Sequence, residues 1–217
     1  MQTSPNDLVI LVNLGTPAPA FTLPDQSGTM RTLAEFSGAP LVLYFYPKDD
    51  TSACTEEACA FGEMLSKFAG AAVLGVSPDS VKSHAKFALK YSLDFPLLAD
   101  VAPDGGVPQV CTAFGVWQEK SMYGKKYMGV VRTTYLIAAD GKVARRWDKV
   151  KVAGHAEEVL SAVRELVGGA APASSKRKPA AKKSGRAKAL AAKAAPKKPT
   201  QKKSTSKEPV AKKKTAR

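Results

Sequence analysis

The stretch Leu41-Val42-Leu43-Tyr44-Phe45-Tyr46-Pro47-Lys48-Asp49-Asp50-Thr51-Ser52-Ala53-Cys54 carries three successive signals. Its first six residues are an unbroken apolar run, the pattern of a strand buried on both faces. Residues 47–53 read as a polar loop. From Cys54 onward the apolar residues Cys54, Ala58, Phe61, Leu65 and Phe68 recur at offsets of four, three, four and three. That spacing predicts a helix over about 54–68, and Gly70 supplies its end.

Outward from this unit the signals alternate. Ala72-Val73-Leu74-Gly75-Val76 predicts a second buried strand. Pro78-Asp79 opens a helix running to about Tyr91, and Leu97-Leu98-Ala99 is a short strand. Residues 132–138 and 142–147 read as two strands joined at Ala139-Asp140-Gly141, a hairpin signal. A terminal helix over 154–167 places Val159, Ala162, Val163 and Leu166 on one face. Upstream, 16–40 is rich in Pro, Gly and small residues, with a turn at Asp25-Gln26-Ser27-Gly28. Strands alternating with helices, then a hairpin and a helix, predict an α/β sandwich: a mixed central sheet flanked by helices. This part contains no internal repeat.

Charge divides the chain. It has 217 residues and a formal net charge of +14. Residues 170–217 hold 17 Lys and Arg against one acid, Glu208, a net +16, whereas 1–169 carry a net −2. A uniformly basic globular domain is therefore excluded. All 16 aromatic residues lie in 1–169, which is long enough for one buried core. The 48 residues of the tail are mostly Ala, Lys, Pro, Ser and Thr. They offer too little apolar surface to offset ordering entropy, about 1–2 kcal/mol per residue for the backbone. The expected organisation is a folded domain, 1–169, and a disordered basic tail, 170–217.

Three cysteines are too few, and odd in number, for a secreted disulfide framework. The apolar run Leu8-Val9-Ile10-Leu11-Val12 is far shorter than the roughly 20 residues of a spanning helix. It also lacks a basic leader. The expectation is a cytoplasmic protein without membrane insertion.

Chemistry is expected where strand, loop and helix meet. Cys54 falls on the first turn of its helix, where free amide N–H groups and the positive end of the helix dipole favour an anion. A thiolate, the reactive form of cysteine, is favoured there. Glu56 and Glu57 oppose it locally, so a further cation would help, and Arg132 at the start of a neighbouring strand is the best candidate. By position alone, Cys54 reads equally well as a small buried hydrophobe.

Pro47, Thr51 and Cys54 match the peroxiredoxin pattern Pro-x-x-x-Thr-x-x-Cys. The wider stretch 44–61 resembles the bacterioferritin comigratory protein, or Q-type, peroxiredoxins. So do Gly115-Val116-Trp117, the segment 120–131 and Arg132-Thr133-Thr134-Tyr135-Leu136-Ile137. Residues 15–23 are similar to the family's opening segment. The resemblance covers about 12–167. Ser52-Ala53 departs from it, because the subfamily often has Pro-Gly there; the loop should be less rigid.

The resemblance implies a thioredoxin-like fold and a thiol peroxidase acting on hydrogen peroxide and organic hydroperoxides. Cys54 would be the peroxidatic cysteine, oxidised to a sulfenic acid. Thr51 and Arg132 would hold peroxide and thiolate, and the amides of Ala53 and Cys54 would add donors to the developing charge. Pro47 would shield the thiolate. No metal or organic cofactor is implied, since sulfur carries the redox change. Cys59 matches the resolving position of many Q-type members, with a thioredoxin-like dithiol as reductant and a monomer as the expected state.

Cys59 also lies off the apolar stripe, beside Gly62, Glu63 and Ser66. Five residues of helix advance about 7.5 Å, whereas a disulfide needs Cα atoms within about 7 Å and converging Cβ vectors. Bonding to Cys54 therefore requires the start of the helix to unwind, which Gly62 would ease. Cys111 reads as packing. His84 and His155 read as surface or helix-start residues, and Trp117 and Trp147 as core.

The tail repeats Lys-Pro-Ala-Ala-Lys-Lys-like units at 178–183, 194–199 and 210–214, similar in composition to linker-histone-like tails. Such charge attracts polyanions by counterion release, and without aromatic residues it has no stacking platform. Non-specific nucleic acid, hence a nucleoid location, is the expected partner; a merely solubilising extension and an anionic membrane surface are the alternatives. Two other functions stand beside the peroxidase. One is a DNA-associated redox sensor in which the tail is the main functional element. The other is a thiol-disulfide oxidoreductase, which lacks the Cys-x-x-Cys it would need.

Overall fold

The computed structural model describes residues 12–169 except 69, 103–105 and 123. The segment 170–217, and with it the expected disordered tail, lies outside the described residues.

The chain opens with a short hairpin, β1 (Thr22–Pro24) and β2 (Met30–Thr32), followed by a 3-10 turn at Leu33–Phe36. β3 (Leu41–Phe45), α1 (Ser52–Met64), β4 (Ala72–Ser77), α2 (Val81–Tyr91) and β5 (Leu97–Ala99) follow. Then come a five-residue helix α3 (Gln109–Ala113), a hairpin of β6 (Trp117–Met122) and β7 (Lys125–Val130), the pair β8 (Thr133–Ile137) and β9 (Val143–Asp148), and α4 (His155–Gly169). Five strands form the central sheet in the order β5-β4-β3-β8-β9. β3 is parallel to β4 and antiparallel to β8, so the sheet is mixed, as predicted. This is the thioredoxin-like arrangement.

The apolar run on β3 has a simple origin. Successive side chains of a strand point to opposite faces, and both faces are covered. Val42, Tyr44 and Tyr46 join α1, α2 and α4 in one core. Leu41, Leu43 and Phe45 pack with Cys111, Phe114, Val116 and Tyr135 in the other. All five residues of β3 and all five of β8 are buried.

Sheet topology assembles the site. β3 ends at Phe45, whose partner across the antiparallel ladder is Thr133, the first residue of β8. The residue before Thr133 is Arg132, so the loop leaving β3 and the chain entering β8 meet at one end of the sheet.

The predicted elements recur with shifted ends. α1 begins two residues early, at Ser52, and stops at Met64, where a 3-10 turn at Leu65–Lys67 completes the segment. The turn expected at Asp25-Gln26-Ser27-Gly28 joins β1 to β2, whereas the strands of that hairpin and the hairpin β6-β7 carry no sequence signal. β7 is exposed along most of its length, so its two faces lack the polar-apolar alternation that marks a half-buried strand.

Gly75 lies between Tyr44 on β3 and Leu97 on β5. A Cβ there would stand 2.7 Å from Tyr44 Oη and 2.9 Å from Leu97 Cδ2. Gly75→Ala should therefore destabilise the protein by about 1–3 kcal/mol through overpacking, measured as a lower denaturation midpoint. An unchanged midpoint would mean that Tyr44 has room to move.

Candidate active site

Thr51 caps α1 in an extended conformation, and its carbonyl takes the first helical bond, from the Thr55 amide at 2.8 Å. Cys54 is thus the third helical residue, on the first turn, where amides have no acceptor within the helix. Its side chain is turned inward and only 1% exposed.

Arg132 closes the site. Its Nη2 donates to Cys54 Sγ at 3.1 Å, and its Nη1 is ion-paired with Glu57. A guanidinium beside a sulfur favours the anionic thiolate over the thiol. Glu57 is one helical turn beyond Cys54 and 1% exposed. The expectation that Glu57 merely opposes the thiolate needs correction, because Glu57 instead holds the arginine. Burial pushes its carboxyl up to about 7, against the pull of Arg132. Burial disfavours the charge on Arg132, yet Glu57 and Cys54 together hold it above its ordinary range. Glu57 Oε1 has no hydrogen-bond partner among the described residues.

Two neighbours complete the surroundings. The Tyr44 hydroxyl is buried, also without a partner among the described residues. Its ionisation is pushed well up, first by burial and then by the charges of Glu57 and Cys54. His155, at the start of α4, shares a 2.8 Å hydrogen bond through Nε2 with Thr134 Oγ1. It packs edge-on against Phe61 and Trp147.

Both histidines lie on helices as the sequence predicts, and His155 starts α4; the surface reading is corrected, because His155 is 4% exposed and His84 is fully buried. Neither carries an apolar label, so periodicity passes them over. Glu57 was findable: at three residues from Cys54 and four before Phe61 it falls on the buried face.

Of the predicted site residues, Cys54 and Arg132 are brought into contact. Pro47 is half-buried just after β3, and Thr51 is exposed, its hydroxyl donating to the Lys48 carbonyl at 3.2 Å. Cys59 is half-buried further along α1, and all three cysteines are free. Burial, then Glu63 one turn away, pushes the Cys59 thiol up. Cys111 is fully buried and its amide donates to Asp100 at 2.6 Å. Burial first, then Asp100, pushes its thiol well up, which suits packing. Trp117 and Trp147 are partly buried against the two cores.

A thioredoxin-like sheet, with a buried cysteine on the first helical turn and an arginine on its sulfur, defines the class of cysteine-dependent peroxidases. The comparisons agree. Residues 14–146 match the AhpC/TSA family. Peroxiredoxin Bcp of Xanthomonas campestris is 48% identical over 155 residues, 70% of this chain and 94% of that protein. Peroxiredoxin Bcp of Escherichia coli is 42% identical over 153 residues, 70% and 95% of the two chains. A solved structure of the Xanthomonas campestris bacterioferritin comigratory protein, from work on its alkyl peroxide reduction, has a TM-score of 0.61. It is 46% identical, covering 66% of this chain and 90% of its own. The chain belongs to the AhpC/TSA family, in its Bcp or Q-type peroxiredoxin branch. It is a thiol peroxidase that acts on hydroperoxides, resolves its oxidised cysteine as a disulfide and takes electrons from a thioredoxin-type reductant.

Burial, with Arg132 nearby, lowers the His155 imidazole to about 4 from an ordinary 6.5, against the pull of Glu158. The folded state then binds fewer protons than the unfolded one between those values. The stability that depends on neutral His155 is full above pH 6.5 and is lost as pH falls toward 4, on the order of 3 kcal/mol in all. Glu57, raised from 4.5 to about 7, acts oppositely, its burial costing more as pH rises through that window. A comparison with His155→Gln cancels the Glu57 contribution. Between pH 7 and pH 4 the native protein should lose a few kcal/mol more than the variant in urea titrations, and parallel curves would refute the assignment.

Proposed function

We propose that Cys54 is the peroxidatic and Cys59 the resolving cysteine, within a catalytic domain spanning 1–169. The contact of Arg132 with Cys54 Sγ at 3.1 Å carries this reading. The Cys54 thiolate attacks one oxygen of a hydroperoxide, including alkyl hydroperoxides. The O–O bond breaks, Cys54 becomes a sulfenic acid and the other oxygen leaves, protonated, as water or alcohol. Arg132, Thr51 and the amides of Ala53 and Cys54 stabilise the charge on the departing oxygen, and Pro47 walls the pocket. Because both cysteines lie on an intact α1, resolution needs its first turns to unwind. Cys59 then attacks the sulfenic sulfur, a disulfide forms and water leaves. Unwinding also removes the two influences, burial and Glu63, that keep Cys59 protonated in the helix. A thioredoxin-type dithiol restores both thiols. The enzyme is proposed to work as a monomer.

Cys54→Ser should abolish peroxide consumption. Cys59→Ser should still be oxidised by one equivalent but lose thioredoxin-supported turnover by at least about tenfold. Hydrogen exchange should show weaker protection of residues 54–62 in the oxidised protein. Full activity in Cys54→Ser, or equal protection in both redox states, would overturn the respective assignment.

The tail adds a second element to the proposal. With net +16 over 170–217, it tethers a cytoplasmic enzyme to nucleic acid without reading sequence, giving it a nucleoid location. The full chain should shift duplex DNA with an affinity that falls steeply with salt, and a 1–169 truncation should not. Binding that survives truncation, or ignores salt, would remove the tail from this role.

A further inference from the structure

The loop 47–51, which sets where α1 starts, is tied to α2 by side chains that take no part in the chemistry above. Asp49 is buried. Its carboxylate accepts from His84 Nδ1 on α2 at 2.9 Å and from the Tyr46 hydroxyl at 2.8 Å. Its amide donates to Asp79 Oδ2 at 2.8 Å, and Asp79 is itself held by the Ser77 hydroxyl at the end of β4. Asp50 follows in the left-handed region, at φ 54°, a conformation uncommon outside glycine but tolerated by Asp. Its carboxylate receives Lys90 Nζ at 2.8 Å and the Tyr91 hydroxyl at 2.6 Å. Two successive acids thus bind the two ends of one helix face, His84 near its start and Lys90 and Tyr91 at its end.

The inner half of this arrangement is a poor device for stability alone. His84 is fully buried, and its Nε2 has no partner among the described residues. An orphaned buried polar atom weakens the folded state. Well-packed apolar side chains of similar volume often do as well as a buried polar pair, or better. What apolar packing does not supply is a directional hold on the loop backbone. Burial opposes the charge on Asp49, yet hydrogen bonding and charge from His84 keep its carboxyl below the ordinary range.

We propose that Asp49 and His84 are positioning residues for the peroxidatic thiol. They clamp the loop 47–51 to α2 and so set the start of α1 against Arg132. This rests on the assignment of Cys54 made above. Cys54 hangs from a helix whose origin is the clamped loop, whereas Arg132 hangs from the separate strand β8. Only a fixed loop keeps Sγ and the guanidinium in register, and a misplacement of about 1 Å at a reacting centre costs as much as 100-fold in rate. The clamp also marks where unwinding stops. Residues 49 and 50 stay on α2, so opening starts beyond them, in the first turns of α1.

The test separates positioning from folding. In the full chain, the rate of Cys54 oxidation by hydrogen peroxide is measured by rapid quench, beside Cys54 alkylation by iodoacetamide and the thermal midpoint. His84→Leu should slow oxidation by about tenfold or more without slowing alkylation. His84→Asn, whose amide N–H stands where Nδ1–H stood, should return to within about threefold of native. A merely structural role would lower the midpoint and speed alkylation while leaving peroxide oxidation within about twofold of native; that result overturns the clamp. Should His84→Leu not fold, Asp49→Asn, which removes the carboxylate charge from the same contact, takes its place. A fall of about threefold supports the clamp, and an unchanged rate overturns it. Peroxide consumption that persists in Cys54→Ser would instead overturn the underlying assignment.

Discussion

One guanidinium holds this site together. Arg132 is itself largely buried, and it lies between a carboxylate and a sulfur that are each 99% hidden from water. Charges are tolerated in such surroundings only when paired, and removing one partner of a buried pair typically costs 3–5 kcal/mol. Glu57 and the Cys54 sulfur share the same cation. With the Glu57 carboxyl near 7, a proton on Glu57 leaves Arg132 more fully to the sulfur, while an ionised Glu57 holds the arginine in place.

The rest of the fold serves that contact. β3 and β8 run antiparallel, so the C-terminal end of one lies beside the N-terminal end of the other. β3 delivers the loop and helix that carry Cys54, and β8 delivers Arg132. The two residues are 78 apart in sequence and in hydrogen-bonding contact in space. α2 takes a third part by anchoring the loop. An intact α1 keeps Cys54 and Cys59 too far apart to bond.

Much of this was legible in the residues. The β3 run, the offsets along α1 and the turn at 139–141 follow from local rules of periodicity and turn chemistry, and they recur in the structure with ends moved by a few residues. The first-turn position of Cys54 was legible for the same reason. Arg132 could be named as a cation at the head of a strand, though its distance from the sulfur could not. The burial of the two histidines was not legible, because burial of a polar residue depends on partners far along the chain. His84 needs Asp49, 35 residues away, and His155 needs Thr134, 21 residues away.

By itself, then, the sequence determined what is local: a buried strand, a helix with a cysteine on its first turn, and a charge division between a slightly acidic domain and a strongly basic tail. Tertiary structure alone decided the long-range pairings. It brought Arg132 to Cys54, turned Glu57 from a nearby repulsive charge into the arginine's partner, and tied Asp49 and Asp50 to α2. The physical reason is that backbone propensity acts over a few residues, whereas the electrostatic state of a buried group is set by whichever side chains the sheet order places against it.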